Sequence, residues 1–169
     1  MKRLLLLLGL LPIGATAQMK SSDCQLDIYG CYVYSLKAFA KGSDGLAKFR
    51  KQILPARTTD VYISKQYFTV NLPESVEGIN YHYEDISEQA TELYSKQQAK
   101  KAICMYMTDL AIGADTCHLW MMPVNLVKQG NEIEMDYPTK GCKLNFVVNK
   151  ETGKLCFANA VCPPAKKED

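Results

Sequence analysis

The sequence lacks the short motifs that mark the commonest enzyme classes. It contains no G-x-S-x-G, no H-E-x-x-H, no phosphate-binding loop and no dinucleotide-binding fingerprint. Histidine, the usual side chain for proton transfer near neutral pH, occurs only twice in 169 residues, at His82 and His118. The spacing C-x-x-C is also absent, which argues against a thioredoxin-like redox site and against a zinc ribbon. We therefore expect a protein without catalytic activity.

The sequence also has no excess of either charge. The chain has 20 basic and 18 acidic residues. Two of the basic ones, Lys2 and Arg3, lie in the leader described next, so 18 of each sign remain. No long run of one sign occurs. The charge balance therefore predicts neither nucleic acid nor an anionic membrane surface as a partner.

The first 17 residues have the pattern of a secretory signal peptide. Two basic residues precede the apolar run Leu4–Ile13, and Ala15-Thr16-Ala17 supplies the small residues of a cleavage site. The run is about ten residues long, whereas a membrane span needs about 20. No second apolar run is long enough to cross a membrane after cleavage. We expect export to the periplasm or the extracellular space, in a bacterial setting, with a single α+β domain over residues 18–164 and a flexible tail over 165–169.

All seven cysteines lie beyond the predicted cleavage site. In an oxidising compartment, six of them can form three disulfides and leave one thiol unpaired. The C-terminal hairpin described below places Cys142 opposite Cys162, so these two are expected to form a disulfide. The remaining pairing is left open by the sequence.

Apolar periodicity predicts three helices. The first two form an N-terminal pair, over Asp23–Ala40 and Leu46–Leu54, although a strand over Ile28–Tyr34 is an alternative for part of the first. The third starts from a capping box of Asp85 and Glu88 and continues to about residue 100.

Segments rich in β-branched and aromatic residues predict strands over Thr58–Leu72, Ala102–Ile112, Thr116–Val127 and Glu132–Tyr137. The segment between residues 74 and 83 is expected to be irregular. The fold class is therefore α+β, with the helices packed on a curved, mainly antiparallel sheet.

The sheet is expected to end in a β-hairpin. The apolar runs Lys143–Val148 and Leu155–Val161 flank a six-residue polar loop with glycine near its end. A register centred on that loop pairs Val148 with Cys156, Phe146 with Ala158 and Leu144 with Ala160, and predicts one wholly apolar face for the hairpin.

This order of elements resembles the NTF2-like superfamily, in which a strongly bent sheet wraps a helical layer into a cone with a pocket. The resemblance covers nearly the whole chain after the leader and depends on element order alone. It implies a pocket enzyme that uses Asp, Tyr or His inside the cone, but it assigns that role to no residue of this sequence.

One candidate ligand site is Tyr81-His82-Tyr83, which a Glu-Asp pair follows. An imidazole flanked by phenols and carboxylates can act as a base or bind a ligand at the mouth of a pocket. The alternative is a tyrosine-rich loop that caps the next helix.

A second candidate is a cluster of soft ligands. Met105 and Met107 share one face of a predicted strand and approach Met121 of the next strand, with His118 nearby. Thioether and imidazole ligands suit Cu(I), the one cofactor for which the sequence gives any indication. The alternative is that these methionines fill gaps in the core beside Trp120.

The function predicted from these patterns is a small, disulfide-stabilised binding domain. Its ligand is a protein, as for an inhibitor or an immunity protein, or a small apolar molecule. The alternatives are a pocket enzyme of the NTF2-like kind and a periplasmic copper-binding protein.

Overall fold

A computed structural model describes residues 24–64, 70–108, 110–137 and 140–164. The predicted signal peptide and the predicted tail lie outside these residues. The described part contains three helices, α1 Ile28–Lys41, α2 Ala47–Ile53 and α3 Ala90–Gln98. It also contains nine strands: β1 Asp60–Ser64, β2 Ser75–Val76, β3 Ile79–Glu84, β4 Ala102–Met107, β5 Ala111–Ile112, β6 Thr116–Gln129, β7 Glu132–Asp136, β8 Cys142–Val148 and β9 Leu155–Val161.

The nine strands form one open, mixed sheet. Its main order is β2-β3-β1-β4-β6-β8-β9, and the short β5 and β7 both pair with β6. Strand β1 runs parallel to β3 and to β4, whereas every other pairing is antiparallel. An α+β class with a mainly antiparallel sheet is therefore confirmed, and the parallel pairings of β1 are an addition that the sequence did not predict.

Three predicted boundaries are wrong. The first helix, predicted from Asp23, begins at Ile28 with Asp27 as its N-cap. The segment expected to be irregular holds strands β2 and β3, and the β3 residues Tyr81 and Tyr83 point into the core at the spacing of a half-buried strand. Helix α3 begins at Ala90, because the Asp85 carboxylate accepts hydrogen bonds from Ser87 in a local turn and does not cap the helix. The strand predicted over 58–72 is present as β1, and residues 65–69 lie outside the described part.

The sheet carries helices on both faces. The inner core lies between one face and the helices α1 and α2, and it contains residues such as Phe39, Val61 and Phe146. The outer core lies between the other face and helix α3, and it contains Tyr62 and Leu93. Alternate residues of β1, β4 and β6 supply the two cores in turn, as the period of two in a strand requires.

Helix α1 has a local signal at each end. The Asp27 carboxylate accepts a hydrogen bond from the backbone N–H of Gly30 at 2.6 Å, which is the N-cap arrangement. At the other end Gly42 adopts a left-handed conformation with φ of 64°, and its N–H bonds to the carbonyl groups of the last turn. These two residues fix the length of the helix independently of its packing.

The segment before α1 is joined to the last strand of the sheet. A disulfide links Cys24 to Cys156, and Leu26 pairs with Leu155 through two backbone hydrogen bonds of 2.9 and 3.1 Å. Cys24 lies before helix α1, whereas Cys31 lies within it. The start of the described chain is therefore held against its end.

Strands β8 and β9 form a hairpin whose register differs in part from the predicted one. Leu144 pairs with Ala160 as predicted, but a bulge at Asn145 and Phe146 shifts the rest, so that Phe146 faces Phe157. The predicted pairings of Phe146 with Ala158 and of Val148 with Cys156 are therefore wrong. A register counted back from the loop cannot include an extra residue in one strand.

Glycine and cysteine residues determine the structure at the two ends of the hairpin. Gly153 closes the loop with φ of 67°, a conformation that favours glycine. At the open end the structure joins Cys142 to Cys162 by a disulfide. A side chain at Gly141 would overlap Met122 and lie 2.5 Å from the carbonyl oxygen of Met121, so glycine allows β8 to start close beside β6.

In the described residues, no helix combines the length and the apolar composition needed to cross a membrane.

Candidate functional site

The structure does not bring the side chains of Tyr81, His82 and Tyr83 together on one surface. The three residues lie on β3, where neighbouring side chains point to opposite faces. Tyr81 is buried and donates a hydrogen bond to the carbonyl oxygen of Leu36 at 3.0 Å, while Tyr83 donates to Pro73 at 2.9 Å. Burial raises the pKa of both phenols. The two tyrosines therefore connect the sheet to neighbouring segments, and His82 alone faces the other way.

His82 belongs to a polar network on the outer face of the sheet. Its Nε2 atom lies 2.8 Å from Oδ1 of Asp60, and its ring stacks on that of Tyr62 with centroids 4.5 Å apart. The ammonium group of Lys96 donates to the Tyr62 hydroxyl at 2.9 Å and forms an ion pair with Glu92 at 2.6 Å. The network thus holds one imidazole in a fixed orientation between a carboxylate and an aromatic ring.

The hydrogen bond from His82 holds the pKa of the Asp60 carboxyl below its usual range. A folded-state pKa that lies below the unfolded value of about 3.9 stabilises the protein above that pH, and the stabilisation is lost as the pH falls through the folded pKa. Both side chains are 36% exposed, so solvent screens their interaction.

We therefore expect Asp60→Asn to lower the free energy of unfolding at pH 7 by less than about 1 kcal/mol. The difference from the wild type should shrink as the pH is lowered below about 4, since the wild-type carboxyl then becomes protonated as the pH falls through its lowered pKa. Urea unfolding of both proteins between pH 3 and pH 7 measures this. Asp115→Asn is the control, because it removes a more exposed ion pair with Lys150. A difference that stays constant or grows towards low pH would contradict the expectation.

The predicted soft ligands are divided between the two faces of the sheet. Met105, Met107 and Met121 are fully buried in the inner core, and Met107 pairs directly with Met121 across β4 and β6. His118 lies three residues before Met121 on β6 and points to the opposite face, where it is half-buried. The structure therefore groups three thioethers without the imidazole. A Cu(I) site at these residues stays a prediction.

A groove that the sequence did not predict lies beside helix α2 and the central strands β4 and β6. Its volume is about 1200 Å³. Its lining comes from helix α2, from the start of β4 and the middle of β6, which we call its floor, and from the segment after β9. We call it the lysine groove, for the residues described next.

The lysine groove has an apolar floor and a basic rim. Its lining includes Phe49, Ile103 and Val124, which are buried, and Ile53 and Pro163, which are partly exposed. Three exposed lysines stand around this floor, Lys48, Lys51 and Lys140, and no described residue that lines the groove is acidic. In the described part of the chain these three lysines form no ion pair. The groove therefore offers positive charge beside apolar surface.

A side-chain amide fixes the floor of the groove. Gln97, near the end of α3, donates a hydrogen bond to the carbonyl oxygen of Val124 at 2.9 Å and accepts one from the N–H of Leu126 at 2.8 Å. The amide thus pairs with β6 as a neighbouring strand would. The backbone at this point of the floor is already hydrogen-bonded, so a ligand would be recognised through side chains.

Sequence patterns could not have found the groove, because its lining comes from residues between positions 48 and 164. The lysines belong to a helix and a loop that are not adjacent in the chain. The available local signal was the spacing of Lys48 and Lys51, three residues apart on one helix face next to the apolar Ile53. In a sequence with 20 basic residues that spacing is unremarkable.

No protein-family model matches this sequence, and comparisons with curated proteins and with solved structures find no match either, so the groove and the network have to be interpreted from their own chemistry.

Proposed function

We propose that this chain is an exported binding domain without catalytic activity, whose lysine groove holds an acidic, partly apolar segment of a partner protein. Two disulfides in a small α+β domain fit an oxidising compartment outside the cytoplasm. The observation that carries the proposal is one groove that combines three lysines without an ion pair to any described residue with partly exposed apolar side chains.

The size of the groove favours a polypeptide segment. Small-molecule sites usually have volumes of about 300–1000 Å³ and enclose most of their ligand. The lysine groove exceeds that range at about 1200 Å³ and is partly open to solvent. An extended peptide or an exposed loop fits an open groove of this kind better than a small apolar molecule does.

The charges define the chemistry of the segment. Lys48 and Lys51 lie on α2 and Lys140 precedes β8, so carboxylates of a partner would meet basic groups from two sides. Apolar side chains between those carboxylates would lie against the partly exposed Ile53, Pro55 and Pro163. Exposed ion pairs contribute little affinity individually, so these partly exposed apolar residues would supply most of the binding energy and the lysines would supply orientation and selectivity.

A short peptide of alternating glutamate and leucine, labelled with a fluorophore, tests this proposal. We expect binding by fluorescence anisotropy, and a weaker interaction with a lysine–leucine peptide of the same length. Reversing two charges in Lys48→Glu/Lys51→Glu should weaken binding of the acidic peptide by about tenfold or more, equivalent to about 1.4 kcal/mol.

The matched control is Lys128→Glu/Lys154→Glu, which changes the net charge equally at exposed positions that do not line the groove. It should change the affinity less than about twofold if the contact is local. Equal losses in the two variants would show attraction to net charge alone and would overturn the proposal. Binding of the neutral dye Nile red without affinity for the acidic peptide would favour a small apolar ligand instead.

A further inference from the structure

Two of the three free thiols lie in the same core. Cys31, Cys104 and Cys117 are buried and are not part of the two disulfides. Cys104 belongs to the outer core, on the side of the sheet that faces α3. Cys31 and Cys117 both belong to the inner core, where α1 packs on the sheet. We propose that Cys31 and Cys117 form a third disulfide, which ties helix α1 to strand β6.

The contacts around the two residues place them on facing surfaces. Cys117 on β6 pairs with Phe146 on β8, and the Phe146 ring lies 6.2 Å from that of Tyr34 on α1. Cys31 lies one turn before Tyr34 on the same helix, at a spacing that puts both on one face. The next residue, Tyr32, accepts a hydrogen bond at 2.8 Å from the N–H of Leu110, close to the start of β6. Helix α1 is thus held over the end of β6 that carries Cys117.

The electrostatics of the two thiols agree with this placement. Burial raises the pKa of Cys31 to about 12, and the next largest contribution comes from a charge on Cys117. This influence of one thiol on the other agrees with their common place in the inner core. Burial also raises the pKa of Cys117 and of Cys104. No interaction of Cys104 with either of the other thiols contributes to these shifts.

The bond has to form while the chain folds, because a buried thiol with a raised pKa provides little thiolate for exchange. A disulfide-containing oxidant such as oxidised glutathione balances the reaction. The Cys31 thiolate attacks it, forms a mixed disulfide and releases one reduced glutathione. The Cys117 thiolate then attacks the Cys31 sulfur and releases the second. Two electrons and two protons pass from the protein thiols to glutathione.

Peptide mapping tests the assignment on the chain without residues 1–17. The reduced, unfolded protein is refolded in oxidised and reduced glutathione, unfolded again, treated with iodoacetamide and digested with trypsin and an Asp-specific protease. Cleavage at lysine and before aspartate puts four cysteines on separate fragments, residues 23–26, 27–37, 102–108 and 115–128. We expect fragments 27–37 and 115–128 to be linked, and fragment 102–108 to be alkylated at Cys104.

Two variants make the result specific. Cys104→Ser should leave the link intact, whereas Cys31→Ser should abolish it and leave Cys117 alkylated. Alkylation of Cys31 and Cys117 in the refolded wild-type protein would overturn the proposal, and so would a link from either of them to fragment 102–108. Because the mapping needs no ligand, its outcome is independent of the groove.

Discussion

Replacing Cys24 and Cys156 together by serine is expected to lower the free energy of unfolding by about 5 kcal/mol, against about 3 kcal/mol for the same change at Cys142 and Cys162. The reason is the length of chain that each bond closes. Cys24 and Cys156 are 132 residues apart, and Cys142 and Cys162 are 20 apart. In the chain-entropy account, a longer closed loop restricts the unfolded chain more.

Guanidinium chloride unfolding, followed by the fluorescence of Trp120, measures both changes, since this is the single tryptophan of the chain. The order of the two losses is the informative quantity, because packing around each bond alters the absolute values. Thermal midpoints give the same order if one variant is too unstable for denaturant titration. Cys104→Ser serves as the control for placing a hydroxyl in a buried site without breaking a disulfide. Equal losses, or a larger loss at Cys142 and Cys162, would show that loop closure does not decide the difference.

Truncating Phe146 to alanine should destabilise the protein by about 4 kcal/mol, the typical loss for a fully buried phenylalanine. Its side chain has no exposed surface and lies at the centre of the inner core. The ring makes edge-to-face contacts with Tyr34 on α1 and with Phe157 on β9, with centroids 6.2 and 5.8 Å away. The change thus removes an aromatic ring that helix and hairpin share.

Phe157→Ala is the matched control, with an expected loss of about 2 kcal/mol, because the Phe157 ring is only half-buried. Urea unfolding of both variants and of the wild type measures the difference. If the two truncations cost the same, then burial does not determine the contribution of the aromatic cluster, and the packing described for the inner core is wrong in this region.

Features that depend on a few neighbouring residues could be predicted from the sequence. The end of α1 at Gly42, the end of α2 before Pro55 and the loop closed by Gly153 all follow from the conformational preferences of glycine and proline. The periodic spacing of apolar residues also predicted most of the helices and strands. Such signals lie within a few positions of the structure that they specify.

Features that depend on distant partners were missed. Strand β3 was expected to be irregular, although Ile79, Tyr81 and Tyr83 alternate with polar residues. Its pairing with β1 is parallel and crosses about 20 positions, and no turn residue marks such a pairing. The bulge between Asn145 and Phe146 has no turn residue to mark it in the hairpin sequence either. The resemblance to the NTF2-like superfamily stays a prediction.

In the candidate sites, too, local features could be predicted from the sequence and features that join distant segments could not. Side-chain alternation along β6 is enough to place His118 and Met121 on opposite faces, as the structure does. The network around His82 joins β1, β3 and α3, so it could be assembled only once the order of strands was known. The lysine groove required the positions of α2 and of the segment after β9 as well.

The link between Cys24 and the last strand can form only after nearly the whole described chain has been made, because its two cysteines are 132 residues apart. Helix α1 packs on Phe146 and Phe157, and the residue pair Leu26 and Leu155 extends this contact. A nascent chain that emerges from its start therefore presents α1 before the surface that covers it has been synthesised. Throughout that interval the first cysteines can pair wrongly with each other or with those of the middle strands. Disulfide isomerisation after synthesis is the expected slow step on the way to the native protein.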